Sequence, residues 1–126
     1  MKLIYIAGPF TDTKWWRVLQ NIRRAENMAL KVAEMGAMPV CPHTMTGNFW
    51  GLQTEQFWYE GTLKLLSVCD AVIFIGNWQC SQGSCSEYDK AFELGIPKFK
   101  EYDIGELQQF IERHNLSDTE NPLNNL

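Results

Sequence analysis

The chain has 126 residues, a formal net charge of −4, 45% apolar residues and 21% charged residues, which is the make-up of one soluble domain with a single core. The acidic balance argues against a nucleic-acid polymer as partner, since that calls for a basic face, yet it leaves room for one small phosphorylated ligand held by local N–H groups. No apolar run approaches the roughly 20 residues that span a bilayer, and the N-terminus carries no signal-peptide pattern, so a cytoplasmic protein with no membrane partner is expected.

Residues 2–7, Lys-Leu-Ile-Tyr-Ile-Ala, read as a buried strand closed by Gly8-Pro9. Thr11 or Asp12 is a candidate N-cap for the helix that follows. Leu19, Ile22, Ala25, Ala29, Val32 and Ala33 recur three or four apart along it, and Gly36 stands where a helix C′ residue belongs. Residues 37–41 form a short second strand, and Pro39 favours an edge position for it. A long loop is expected over 42–53. A second helix over 54–68 has Phe57, Gly61, Leu65 and Val68 on one face.

Residues 71–75, Ala-Val-Ile-Phe-Ile, are the strongest strand signal in the chain. A polar loop through Ser81, Gly83 and Ser84 then opens a helix over 84–94, followed by a short strand at 96–99 and a final helix over 103–114. The domain is expected to occupy 1–116, with 117–126 a polar, extended tail. Alternating strands and helices imply an α/β fold. It is a flavodoxin/Rossmann-like three-layer domain with a mainly parallel four- to five-stranded sheet. In such folds ligands bind beyond the carboxyl ends of the strands, at the topological switch point. The loops at Gly8-Pro9-Phe10, at Cys41-Pro42-His43 and from Gly76 to Ser84 should therefore share one rim.

No GxGxxG follows the first strand and no GxxxxGK[ST] occurs, which argues against dinucleotide and Walker-type sites. The four cysteines, Cys41, Cys69, Cys80 and Cys85, lack CxxC or Cys/His ligand spacing, so buried reduced thiols are expected and no metal. Ser81, Gly83 and Ser84 at a helix N-terminus form a candidate anion nest. Ser84-Cys-Ser-Glu87 also fits a capping box, in which Ser84 and Glu87 only satisfy backbone amides. The functional reading of Glu87 is a carboxylate nucleophile, kept ionised by the helix dipole and suited to attack on an anomeric carbon.

Tyr5-Ile-Ala-Gly8-Pro9-Phe10, Pro39-Val-Cys-Pro-His43, Cys69-Asp70-Ala-Val and Ser81-x-Gly83-x-x-x-Glu87-x-x-x-Ala91-x-x-x-Gly95 occur in this order. Together they resemble the nucleoside 2-deoxyribosyltransferase superfamily over roughly residues 3–99. The resemblance is to its small bacterial and phage members and to the deoxynucleoside 5′-monophosphate N-glycosidases. It implies that Glu87 is the catalytic glutamate that forms a 2-deoxyribosyl ester, and that Tyr5 is an active-site tyrosine. It further implies that Gly8 and Pro9, with Phe10 in the same loop, line the sugar pocket, that His43 lies beside the base and that Ser81 contacts a 5′-phosphate. The serine favours a nucleotide substrate and water as acceptor, hence a hydrolase over a transferase.

The same resemblance implies a homo-oligomer that completes each site from a neighbour, and no cofactor. Thr62 stands where the family usually carries its general-acid aspartate, with Glu60 two residues away. Among the aromatics Phe49, Trp50, Phe57 and Trp58, Trp58 is the one assigned to substrate binding by stacking. Two other readings remain: a non-catalytic nucleotide-binding or signalling module, and a phosphoribohydrolase-like enzyme acting on ribonucleotides.

Overall fold

The computed structural model describes residues 1–49 and 51–120, so Trp50 and residues 121–126 lie outside the described residues. Its elements run β1 Leu3–Ala7, α1 Trp15–Glu34, β2 Met38–Val40, α2 Pro42–Met45, α3 Glu55–Ser67, β3 Ala71–Phe74, α4 Gln82–Leu94, β4 Lys98–Lys100 and α5 Ile104–Glu120. The described strands form one parallel sheet in the order β2-β1-β3-β4. Tyr5 stands opposite Val40 on one side and Val72 on the other. Because β1 leads outward to β2 and β3 then pairs on the opposite side of β1, the switch point falls between β1 and β3.

Side chains alternate across a strand with period two, and the sheet uses both faces. Ile4 and Ile6 of β1 and Ala71 and Ile73 of β3, with Ile75 just beyond, pack under α1 and α5 with Val32, Leu107 and Ile111. Tyr5, Ala7, Val72 and Phe74 point the other way, against Leu66 of α3 and Ala91 of α4. Each fully buried Ile or Val contributes about 1.5–3 kcal/mol, so both faces are well supported. The central strands are apolar on both faces because helices cover both.

Several expected boundaries shift. Helix α1 starts after Lys14, and Asp12 instead accepts the Lys14 N–H at 2.9 Å one step outside the helix. Its buried stripe is Val18, Ala25, Met28 and Val32, which leaves Leu19 55% exposed on the flank. Pro39 does sit on an edge strand. The expected loop over 42–53 contains α2, because Pro42 at a first helical position costs no hydrogen bond and its carbonyl takes the Thr46 N–H. On α3 the sheet-facing residue is Leu66, while Val68 is 60% exposed. Helix α5 runs through 117–120, where an extended tail was expected, since no Gly or Pro separates Gly105 from Pro122. Among the described residues no helix is long and apolar enough to cross a membrane.

Candidate active site

The rim at the end of β1 is braced from two directions. Gly8 is buried against β3, and a Cβ there would stand 2.5 Å from Ile75 Cγ1 and 3.1 Å from the Ile75 carbonyl oxygen. Only glycine allows strands β1 and β3 to close this tightly at their ends. His43, at the start of α2, reaches back with Nε2 3.0 Å from the Pro9 carbonyl. A carbonyl only accepts, so Nε2 carries the proton and Nδ1 is bare; Nδ1 is buried without a partner. Burial holds the His43 imidazole below its usual range, with the Pro9 and Gly8 carbonyls pulling the other way. Asn21 of α1 donates to the Phe10 carbonyl at 3.2 Å, and the Phe10 ring meets the His43 ring edge-on with centroids 5.4 Å apart. His43, expected beside a base, braces the loop that follows β1, and Asn21 is a second brace that no sequence signal marked.

Across the switch point, β3 ends at Phe74 and a single 3-10 turn at Trp78–Cys80 leads into α4. Ser81 is the N-cap, its Oγ accepting the Ser84 N–H at 3.2 Å. The helix therefore begins two residues earlier than expected, and Ser84 does not cap it. Glu87 consequently lies in the second turn, beyond the reach of a capping box, which needs the glutamate at the third helical position. The dipole falls off within the first turn, so the expectation of a readily ionised carboxylate is overturned. Burial pushes Glu87 up from 4.5 to about 7, with the nearby Tyr5 hydroxyl acting in the opposite sense.

Tyr5 brings β1 into the same corner. Its ring is fully buried, and its hydroxyl is buried without a hydrogen-bond partner among the described residues, near Glu87 and Thr62. Burial first, and then the Glu87 charge, hold the phenol well above 10. Thr62 reaches this corner from α3, while its own hydroxyl donates to the Tyr59 carbonyl at 3.1 Å. Tyr5, Thr62 and Glu87 are therefore brought together from three elements.

The remaining candidates lie around this corner or apart from it. Ser84 is buried, with its hydroxyl unpartnered. Gly83 lies in the exposed first turn of α4, where amides have no carbonyl four residues back within the helix. Trp58 is half-buried on α3, edge-on to Phe57 at 5.0 Å and tilted against Phe49 at 6.3 Å. Trp78 stacks on Tyr88 at 5.1 Å over Phe74, which commits it to the core side. Asp70 takes the Leu3 N–H at 2.8 Å at the opposite end of the sheet, the structural role of a strand entry. All four cysteines are free; Cys41 and Cys69 are buried as expected, but Cys80 is exposed and Cys85 half-buried. Two surface depressions of about 260 and 370 Å³ are present, one beside the end of β3 under Gly76, Trp78 and Tyr102, the other under Phe110 and His114, and Glu87 lines neither.

The family model described as "Domain of unknown function (DUF7768)" matches residues 2–100, from the start of β1 through β4. The chain belongs to the DUF7768 family. No curated protein matches this DUF7768 sequence. Among solved structures, the 2-deoxyribosyltransferase of the psychrotolerant bacterium Bacillus psychrosaccharolyticus is similar at a TM-score of 0.57 and 20% identity. The match covers 78% of this chain and 70% of that one. The DUF7768 chain therefore shares the α/β fold of a 2-deoxyribosyltransferase, the superfamily that its sequence motifs resemble.

Proposed function

We propose that this protein cleaves, or transfers, the N-glycosidic bond of a 2′-deoxynucleoside 5′-monophosphate. The observation that carries this reading is the approach of a half-buried Glu87 to the buried Tyr5 hydroxyl at the switch point of a transferase-like fold. Glu87 Oε attacks C1′, the C1′–N bond breaks and its electron pair leaves with the base. Water or a second base then attacks C1′ and restores the carboxylate. Tyr5 donates toward Glu87 and favours its charged form. Ser81, Gly83 and Ser84 take the 5′-phosphate, the buried Ser84 hydroxyl supplying a donor that no described residue uses. Gly8, Pro9 and Phe10 line the sugar side, held by His43, and Trp58 stacks on the base.

Water is favoured as acceptor, since Ser81 contributes a hydroxyl where a base-handling carboxylate would serve transfer. A carboxylate and a water suffice, so the reading requires neither metal nor organic cofactor. It includes a cytoplasmic setting and a homo-oligomer, in which a second copy covers apolar side chains such as Phe57 of α3 and Leu52 of the loop before it, 50% and 69% exposed.

The test is incubation with a panel of deoxy- and ribonucleoside monophosphates, followed by chromatography for free base. Release from deoxynucleotides by wild type and not by Glu87→Ala supports the glycosidase. Tight binding without turnover in both proteins points to a binding module, and turnover of ribonucleotides to a phosphoribohydrolase-like enzyme.

A further inference from the structure

Two of the four cysteines share one short segment of the rim, and the function proposed above uses neither. Cys80 closes the 3-10 turn that follows β3 and is exposed, while Cys85 lies in α4 and is half-buried. With Ser81 as N-cap, Cys80 holds the position just before the cap and Cys85 the fourth helical position. These are the two positions whose side chains meet in a hydrophobic staple and fix how a chain enters its helix. The Cys85 N–H donates to the Ser81 carbonyl at 3.0 Å, which holds its backbone against the residue next to Cys80. Its thiol turns back over the 3-10 turn, with Sγ 3.5 Å from the Gln79 carbonyl oxygen and 3.9 Å from that of Trp78. A carbonyl oxygen lies roughly 2.8 Å from the next Cα, so Cys85 Sγ stands no farther than roughly 6.3 Å from Cys80 Cα. The other two thiols are set differently. Cys41 and Cys69 are buried, and Cys69 donates to the Leu65 carbonyl at 3.4 Å. Burial pushes the Cys41 thiol up and that of Cys69 up to about 11, and a thiol reacts as its thiolate, so both are inert.

We infer that Cys80 and Cys85 are a reversible modification site, oxidised to an intramolecular disulfide by small disulfides of the glutathione class. The exposed Cys80 loses its proton to solvent and its sulfur attacks one sulfur of oxidised glutathione. The glutathione S–S bond breaks, and one glutathione leaves as its thiolate and takes up a proton. Cys85, deprotonated in turn, attacks the Cys80 sulfur, the bond from Cys80 to glutathione breaks and the second glutathione leaves. Two electrons pass from the two thiols to glutathione, and the two thiol protons end on the two released molecules. Excess reduced glutathione runs the same steps backward. An accessible thiol beside a second one that resolves it is the arrangement such chemistry needs. The bond closes a ring that contains Ser81, Gly83 and Ser84, so oxidation pins the entry to α4 in one conformation. None of these steps involves Glu87; only the consequence for a bound phosphate rests on the function proposed above.

The test equilibrates the folded protein with a mixture of oxidised and reduced glutathione, quenches with acid, alkylates the free thiols in denaturant and reads the products by mass spectrometry. Wild type should lose two alkylatable thiols per chain, with fragmentation placing the bond between Cys80 and Cys85, and Cys41 and Cys69 fully alkylated. Dithiothreitol should restore both thiols. Cys85→Ser removes the resolving sulfur, so one glutathione should persist on Cys80. Cys80→Ser removes the attacking sulfur, so it should show no bond and take up glutathione more slowly than Cys85→Ser. In amide exchange, the Ser84 and Cys85 N–H groups, both held by Ser81, should exchange more slowly in the oxidised protein than in the reduced one. Wild type that keeps glutathione on Cys80 beside a free Cys85 overturns the pairing. So does a bond that joins two chains on a non-reducing gel, or one that involves Cys41 or Cys69. Base release by the reduced protein tests the Glu87 reading separately, and its failure leaves the thiol result standing.

Discussion

Tyr5 and Glu87 act on each other in opposite senses: the Glu87 charge holds the phenol protonated, while the phenol favours the charged carboxylate. Burial is the larger effect on Glu87 and sets its titration near pH 7. A carbon-13 titration of the Glu87 side-chain carboxyl should therefore have its midpoint near 7 and not near the ordinary 4.5. Tyr5→Phe removes the donor and should move that midpoint upward. A nucleophile must be ionised, so the kcat/KM for base release should climb about tenfold per pH unit below 7 and level off above it. A midpoint near 4.5 would refute the burial of the carboxyl.

The same shift governs stability. Glu87 has a folded-state value raised above its unfolded one, so its contribution is fully present below about 4.5 and is lost as pH rises through about 7. At pH 8 the fold holds a charge it would rather not bury. Glu87→Gln keeps the shape without the charge, and should gain on the order of 2 kcal/mol at pH 8 and close to nothing at pH 4. Denaturant melts of both proteins at the two pH values measure the difference. An equal effect at both would mean the carboxyl is solvated.

The outlines of this site were legible in residue order alone. Alternation of apolar runs with amphipathic stretches gave the parallel sheet, and Gly8-Pro9, His43 and the loop before Glu87 fell on one rim because parallel strands end on one side. Less legible was where α4 begins. Ser81 and Ser84 are both good caps, and only packing decides between them. Taking Ser81 moves Glu87 from the first turn to the second, away from the dipole and to a half-buried position near Tyr5. The roles of His43 and Asn21 were hidden for another reason: each spends its side chain on a backbone carbonyl of the β1 loop, and a carbonyl leaves no mark on the sequence. The exposed Leu19 illustrates the limit of periodicity, which fixes the spacing of a stripe but not which of two flanks the sheet accepts.

His43 should be a stability residue before it is a catalytic one. Truncation leaves a cavity and an unpaired Pro9 carbonyl, so His43→Ala should cost about 2–4 kcal/mol. His43→Gln, which retains an N–H donor, should recover part of it. The imidazole is held below its usual 6.5, so its contribution is present above that pH and lost as pH falls through the folded value. Glu87 changes in the opposite sense over the same range, so only the difference between wild type and His43→Gln isolates the histidine. That difference should shrink as pH falls from 7 toward 5 in chemical denaturation. A constant difference would mean that the ring is protonated as readily as in water.

Gly8 and Gly83 belong to the same candidate pocket, yet the same substitution should affect them oppositely. A Cβ on Gly8 would stand 2.5 Å from Ile75 Cγ1 and 3.1 Å from its carbonyl oxygen, and that backbone is the central strand. Gly8→Ala should force β1 and β3 apart and cost about 1–3 kcal/mol, with activity falling in step with folded protein. A Cβ on Gly83 would meet nothing closer than Ser81 Oγ at 3.8 Å. Gly83→Ala should leave the melting temperature unchanged or raise it slightly, since alanine favours a helical turn by up to about 1 kcal/mol. If the first-turn amides hold a phosphate, that methyl stands where the anion must approach. Binding of a deoxynucleoside monophosphate should then weaken roughly tenfold, about 1.4 kcal/mol, while the corresponding nucleoside is unaffected. Calorimetric titration with the nucleotide and the nucleoside separates the two, and equal loss for both would place the phosphate elsewhere.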